Sequence, residues 1–410
     1  MMNSSVPKNK NINVLGLALL YIAYCMSYTD RFAMSLSLTH VGKEFSLNPT
    51  ELGLVLSAFY IGYSLMQLPG GWLADRFGSK FVVITTIGAW SIFTVFTGFA
   101  WSFVSLIAIR FIFGIAEGGF PASAVKAVSE TFSGEMRPKM TALLISSNYV
   151  GSMIAPLIMA PLIIYFGWRH AFTAIGGAGL LFALAYYFAV PYEKPGADGS
   201  RDSKPQDWTS LRELLRNPLL YQLLITWFCL SCVNKGLDAW MPAYLLQARG
   251  LNLKAVGLLT PLPFVMASIS TGLGGWIMIR FFDGREKYLM TVSCILTGVF
   301  LYMMYTASTV AGVITYQSIL YFFKSFVFAT AFSLPAKLLK DNQVGTGIGM
   351  VNLGGQVAGF VAPFVMGVLV SEFGTYDAAF QFLLGATVIA TLVSLTIRTR
   401  PASRTAVQSA

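Results

Sequence analysis

Pro69-Gly70-Gly71-Trp72-Leu73-Ala74-Asp75-Arg76-Phe77 returns 204 residues later as Leu273-Gly274-Gly275-Trp276-Ile277-Met278-Ile279-Arg280-Phe281. The same shift carries Gly53 to Gly257, Asn148 to Asn352 and Gly151 to Gly355, and it lays the pair Asp30-Arg31 on Asn234-Lys235. One offset of about half the 410 residues, fitting four separated stretches, means two homologous halves. In a hydrophobic chain, such a repeat points to an architecture whose halves rock around a site between them to move a solute.

The composition places those halves in a bilayer. The chain is 55% hydrophobic and 11% charged, where soluble domains carry about 25% charged residues. Apolar runs long enough to cross about 30 Å of hydrocarbon as helices recur at 12–38, 52–73, 81–101, 103–131, 140–165 and 170–190, then at 219–246, 256–282, 287–306, 311–339, 345–371 and 377–397. The expected fold is an all-α membrane protein with twelve transmembrane helices in two pseudo-symmetric six-helix halves. The expected divisions are a first half at 1–190, a cytoplasmic linker at 191–218 rich in Pro, Gly and charge, a second half at 219–400 and a polar tail at 401–410.

Net charge +10 raises nucleic acid as a partner, but the placement of the charges accounts for it otherwise. Nineteen Lys and Arg fall on the side of the termini, against Lys43, Arg169, Arg249 and Lys254 on the other. This positive-inside bias puts both termini in the cytoplasm. The N-terminal apolar stretch is too long for a cleavable signal and contains Asp30-Arg31. Cys229-x-x-Cys232 lies inside a span with no second pair and no nearby His, which reads as buried small side chains rather than a metal or redox site.

Gly71, Asp75, Arg76, Gly78 and Lys80 form the pattern Gly-x3-Asp-Arg-x-Gly-x-Lys, which resembles the loop 2–3 signature of the major facilitator superfamily. The resemblance covers the whole chain and implies that this motif gates the cytoplasmic face. In the second copy Ile279 replaces the acid, so a symmetric latch is not expected.

An ionisable group in mid-bilayer costs about 2.5–3.5 kcal/mol even on the mildest scale, so it needs a partner or a task. The candidates are Asp30, Arg31, Arg110, Glu117, Lys126, Lys235, Asp238 and Lys324. Five basic and three acidic groups suit an anionic ligand, although Lys126 is placed to snorkel to the cytoplasmic interface. Tyr24, Tyr28 and Arg31 share one face of the first span, as do Tyr60 and Tyr63 with Gln67 in the second. Tyr28-Thr29-Asp30-Arg31 resembles the first span of the anion:cation symporter family, which includes vesicular glutamate transporters, sialin and bacterial sugar-acid carriers. Arg110, Gly114, Glu117 and Phe120-Pro121 are similar to its fourth-span pattern. Arg110 and Glu117 share a face but stand about 10 Å apart along the axis, so each needs another partner. The resemblance implies that Asp30 partners Arg110 and that Glu117 carries the proton. The alternative role for Glu117 is a fixed counter-charge to Arg31 or Lys235.

Lys235, the repeat mate of Arg31, is expected to bind substrate with it, unless Asp238 at i+3 simply neutralises it. Tyr28, Tyr63, Asn148, Tyr321, Asn352 and Gln356 are the neutral candidates for substrate contacts, and they serve equally as interhelical hydrogen bonds. The expectation is a proton-coupled symporter of a small organic anion, a monomer in the lipid bilayer of the inner cell membrane. It would need no cofactor beyond the proton gradient, no metal and no nucleic acid. An exchanger or uniporter of the same fold is the alternative. A membrane enzyme or a transporter-like sensor is more remote, since His40 and His170 lie near outer helix ends and no nucleophile constellation appears.

Overall fold

The computed structural model describes residues 10–190 and 214–397, except 135, 283, 341 and 342. The expected tail and most of the expected linker lie outside these residues. Every regular element described is an α-helix: α1 (Lys10–Phe45), α2 (Pro49–Phe77), α3 (Ser79–Gly98), α4 (Phe103–Gly118), α5 (Phe120–Thr131), α6 (Met136–Ala189), α7 (Pro218–Gln247), α8 (Leu253–Leu259), α9 (Pro261–Phe281), α10 (Glu286–Thr306), α11 (Val310–Leu338), α12 (Val344–Phe373) and α13 (Asp377–Thr396). Apolar sequence in hydrocarbon requires this, because backbone N–H and C=O groups without water must pair within their own segment.

Among the described residues, eight helical segments are long and apolar enough to cross a membrane, and α2, bent by 47° between Gln67 and Pro69, is a ninth. Helix α6 runs for 54 residues and breaks at Gly167, where φ is 77°, so it supplies two spans. Helices α1 and α7, of 36 and 30 residues, are long enough but less apolar. They are repeat mates and carry Asp30-Arg31 and Asn234-Lys235. With them the twelve expected spans are all present.

The chain forms two compact units, Met1–Ser46 with Ala58–Gly199, and Leu47–Ser57 with Ser200–Ala410. In the first, α1 and α3 pack on α6; in the second, α7 packs on α12 and α10 on α13. These are the same partnerships under the repeat. Gly151 and Gly355 show why the repeat kept its glycines. A Cβ on Gly151 would meet Cys25 Cα of α1 at 2.8 Å, and one on Gly355 would lie 2.5 Å from Trp227 Nε1 of α7. On the first unit Phe99, Trp101, Tyr165 and Phe166 are exposed near one set of helix ends, and Trp72, Phe77, Tyr187 and Phe188 near the other. Among them, Trp101 and Tyr165 at one level and Trp72 and Tyr187 at the other are amphipathic rings that match the two interfaces of a bilayer.

The fourth span positions the charges. Ser102 opens α4 with a reciprocal capping box to Ser105. The helix gives way at Gly119, where Pro121 in the first turn of α5 has no N–H to continue it. Glu117 therefore sits in the last turn of α4, fully buried. Gly114, between Arg110 and Glu117, lets α4 touch α2, since a Cβ there would lie 2.1 Å from the Phe59 carbonyl oxygen. Gly114→Ala should lower the thermal midpoint of the purified protein, as overpacking costs about 1–3 kcal/mol, and Gly114→Leu should abolish the folded protein. A Gly114→Ala protein with wild-type midpoint would contradict this packing.

Candidate functional site

In the first unit, α1, α2 and α4 bring four charges together. Ser27, Asp30 and Arg31 project from α1, Phe59 and Tyr63 from α2, and Arg110 and Glu117 from α4. Glu117 Oε1 accepts from Ser27 Oγ at 2.5 Å and from Arg31 Nε at 2.7 Å, with Arg31 Nη2 at 2.5 Å. Glu117 Oε2 is buried with no hydrogen-bond partner. The guanidinium of Arg31 lies over the rings of Tyr28, Phe59 and Tyr63, at 4.7, 5.0 and 4.6 Å from their centroids. Three aromatic faces around a cation whose single carboxylate partner binds through one oxygen make a polarised, nearly dry setting, in which charge interactions are strong.

Arg110 is 2% exposed and stacks on Phe113 and Phe59 at 4.5 and 5.6 Å. Its Nε and Nη1 have no hydrogen-bond partner. Asp30, also buried, faces Thr94 and Trp90 of α3 and lies within electrostatic reach of Arg110 and Glu117. By formal charge, the two acids Asp30 and Glu117 match the two bases Arg31 and Arg110. Asn148 of α6 is half-buried, with its side-chain oxygen unpaired.

Lys126, counted among the buried charges in the sequence, leaves that group. Its ammonium pairs with Asp75 Oδ1 at 2.7 Å and hydrogen-bonds the Ala74 carbonyl at 2.8 Å, and Glu130 lies 3.8 Å away. Glu130 also accepts from Ser79 Oγ. Nearby, Lys80 donates to the Tyr187 carbonyl at 2.9 Å, Arg76 stacks on Trp72 at 5.3 Å, and Gly78 turns the chain at φ 88°. Gly71 faces Ala122 of α5, where a Cβ would sit at 3.9 Å from the alanine methyl. The loop motif is tied to the fourth span through Lys126. In the second unit Lys337 of α11 pairs with Glu286 of α10 at 2.7 Å. This tie is not the symmetric counterpart of the first, in line with the expectation. An acid is present, at the start of α10 rather than at the repeat position held by Ile279.

The second unit gathers Asn234, Lys235 and Asp238 on α7 with Gln317, Tyr321 and Lys324 on α11. Asp238 Oδ2 accepts from Asn234 Nδ2 at 3.0 Å, and its Oδ1 accepts from the Tyr321 hydroxyl at 2.5 Å. The Lys324 ammonium donates to Asn234 Oδ1 and lies 4.1 Å from the centroid of the Tyr321 ring. Lys235 is half-buried and within electrostatic reach of Asp238, as is Lys324. Two cations against one acid leave this cluster at +1. The 204-residue shift carries Glu117 onto Tyr321, so the second half has no carboxylate at the mate of Glu117. Asn352 and Gln356 are half-buried on α12.

The sequence reading missed Ser27 and Phe59. Ser27 lies on the stripe of Tyr24 and Arg31 at i, i+3 and i+7, so periodicity could have found it. Phe59, beneath both arginines, carried only an aromatic signal indistinguishable from core.

The pattern of the Major Facilitator Superfamily matches residues 20–321 and 253–410. The chain is similar to a probable sulfoacetate transporter of Cupriavidus necator, with 31% identity covering 92% of each chain. It is also similar to a probable galactarate/D-glucarate transporter of Escherichia coli, with 28% identity over 96% of this chain and 95% of the relative. A hexuronate transporter of Bacillus subtilis shares 26% identity over 91% and 92%. The fold is similar to that of a solved bacterial homologue of the human lysosomal transporter Spinster, with a TM-score of 0.83 at 18% identity, covering 94% of this chain and 96% of that one. With its membrane-length helices, internal repeat and loop motif, the chain belongs to the Major Facilitator Superfamily, a family of transporters rather than enzymes, and is a multi-pass membrane protein.

Proposed function

We propose that the protein is a secondary active transporter that couples proton movement to symport of a small organic anion by alternating access. It would work as a monomer in the inner cell membrane, with both termini cytoplasmic and the proton gradient as its only energy source. Relatives named for sulfoacetate, galactarate or D-glucarate and hexuronate support the anion class. The observation that carries coupling is the buried pair of Glu117 with Arg31. Glu117 occupies the cation that an anionic substrate needs. A proton on Glu117 removes that competitor and leaves Arg31 to bind a carboxylate through its planar fork. Loss of the bound anion returns Arg31 to Glu117 and expels the proton, so each ligand raises the affinity for the other.

Other residues take supporting roles. Tyr28 and Tyr63 hold the Arg31 guanidinium in place. Asn148 offers an unpaired acceptor to a substrate hydroxyl, and Tyr321, Asn352 and Gln356 serve the second half with Lys235. Asp30 and Arg110 steady the charge balance around Glu117. Gly71, Asp75, Arg76, Gly78 and Lys80 form the cytoplasmic latch, which opens and closes with Lys126. One observation favours a second reading: three donor atoms converge on Glu117 Oε1, an arrangement that suits a fixed counter-charge and hence an anion exchanger without proton coupling.

Proteoliposomes separate the two. Under an imposed pH gradient, a substrate such as D-glucarate, glucuronate or sulfoacetate should accumulate, and a protonophore should abolish the accumulation. Uptake that needs a counter-anion inside and ignores the pH gradient would establish the exchanger instead.

A further inference from the structure

The buried ammonium of Lys324 has no task in the coupling scheme, and its surroundings point to one. Lys324 is 8% exposed. It donates to the neutral oxygen of Asn234, and its remaining N–H groups have no carboxylate paired with them among the described residues. The nearest acid, Asp238, is committed elsewhere. One oxygen holds the Asn234 amide nitrogen at 3.0 Å and the other the Tyr321 hydroxyl at 2.5 Å. That hydrogen bond fixes the Asn234 amide with its nitrogen toward Asp238 and its oxygen toward Lys324. The amide stands between the acid and the ammonium and keeps them from forming a direct pair. Asn234, Lys235 and Asp238 are only half-buried, so the cluster meets open space along that side of α7. Gln317, two turns before Lys324 on α11 and 4% exposed, has a buried side-chain oxygen with no donor.

A buried ammonium held short of neutralisation is expensive unless an anion completes it. We infer that Lys324, oriented by Asn234, binds one acidic group of the transported anion, and that it reads the second acidic group of a dianion such as an aldarate or a sulfonated carboxylate. The inference rests on the organic-anion reading and names its substrate class. Asn234, Asp238 and Tyr321 are positioning residues. By formal charge the second cluster counts two bases, Lys235 and Lys324, against one acid, Asp238.

The test compares D-glucarate, with two carboxylates, and glucuronate, with one, by calorimetry on purified protein. Wild type should prefer glucarate. Lys324→Gln should weaken glucarate binding about 10- to 100-fold, the range of one charge-assisted hydrogen bond, and leave glucuronate nearly unchanged. Asn234→Asp keeps the lysine but gives it a carboxylate partner, and should erase the same preference; it decides the matter if Lys324→Gln does not fold. A structural role would not move the ratio of the two affinities. Equal loss for both anions, an unchanged ratio in both variants, or no glucarate preference in wild type would overturn the inference. A wild type that binds no organic anion would overturn the transport reading itself.

Discussion

Glu117→Gln should bind the anion and exchange it across the membrane while losing all accumulation driven by a pH gradient. The amide imitates the protonated carboxyl in size and keeps an oxygen for Ser27, but carries no charge to hold Arg31. Glu117 has no exposure to solvent, and its Oε2 lacks any hydrogen-bond partner. Oε2 is therefore the oxygen open to a proton without displacing Ser27 or Arg31. Counterflow of labelled substrate measures exchange, and uptake against the gradient measures coupling. Accumulation that survives in Glu117→Gln would move the proton to another acid, with Asp30 the remaining carboxyl of that cluster.

Arg31 carries the other large effect. Arg31→Lys preserves the charge and loses the planar fork that engages Glu117 through two nitrogens. Transport should fall about 100-fold, because a point charge cannot replace bidentate geometry against a carboxylate. Arg31→Ala would leave Glu117 buried without its cation, a loss of about 3–5 kcal/mol for one partner of a buried pair. Its transport defect must therefore be separated from unfolding. The double variant Arg31→Ala with Glu117→Gln removes both charges. It should recover thermal stability but not substrate binding. Normal uptake by a folded Arg31→Ala protein would remove Arg31 from the site.

The parts of this protein that the sequence made legible are those under hard physical constraint. Glycines where helices touch, such as Gly151 and Gly355, cannot change without collision, so they preserved the repeat. The bilayer demands long apolar runs, and all twelve were readable. The Pro121 step was visible, but not that it divides one span into α4 and α5. Pairings were legible only as possibilities. Arg31 and Glu117 lie 86 residues apart, and whether they meet depends on how α1 and α4 rotate about their axes, which periodicity does not fix. Asp238 was open as a neutraliser of Lys235; its hydrogen bonds go to Asn234 and Tyr321, with Lys235 within its electrostatic reach. The ion pair of Lys337 with Glu286 was not legible, because neither residue lies at the repeat position of its counterpart in the first half. There the acid is Glu286, at the start of α10, and the lysine is Lys337 of α11, a tie between two helices outside the repeat register.

The central claim is that a proton on Glu117 releases Arg31 for the anion, and proton counting by calorimetry tests it most directly. Anion binding is titrated in two buffers of equal pH and different ionisation enthalpy, and the difference in heat gives the protons taken up per anion bound. Wild type should take up protons on binding, approaching one per anion, and Glu117→Gln should take up none. Binding without proton uptake in wild type, or the same uptake in both proteins, would contradict it.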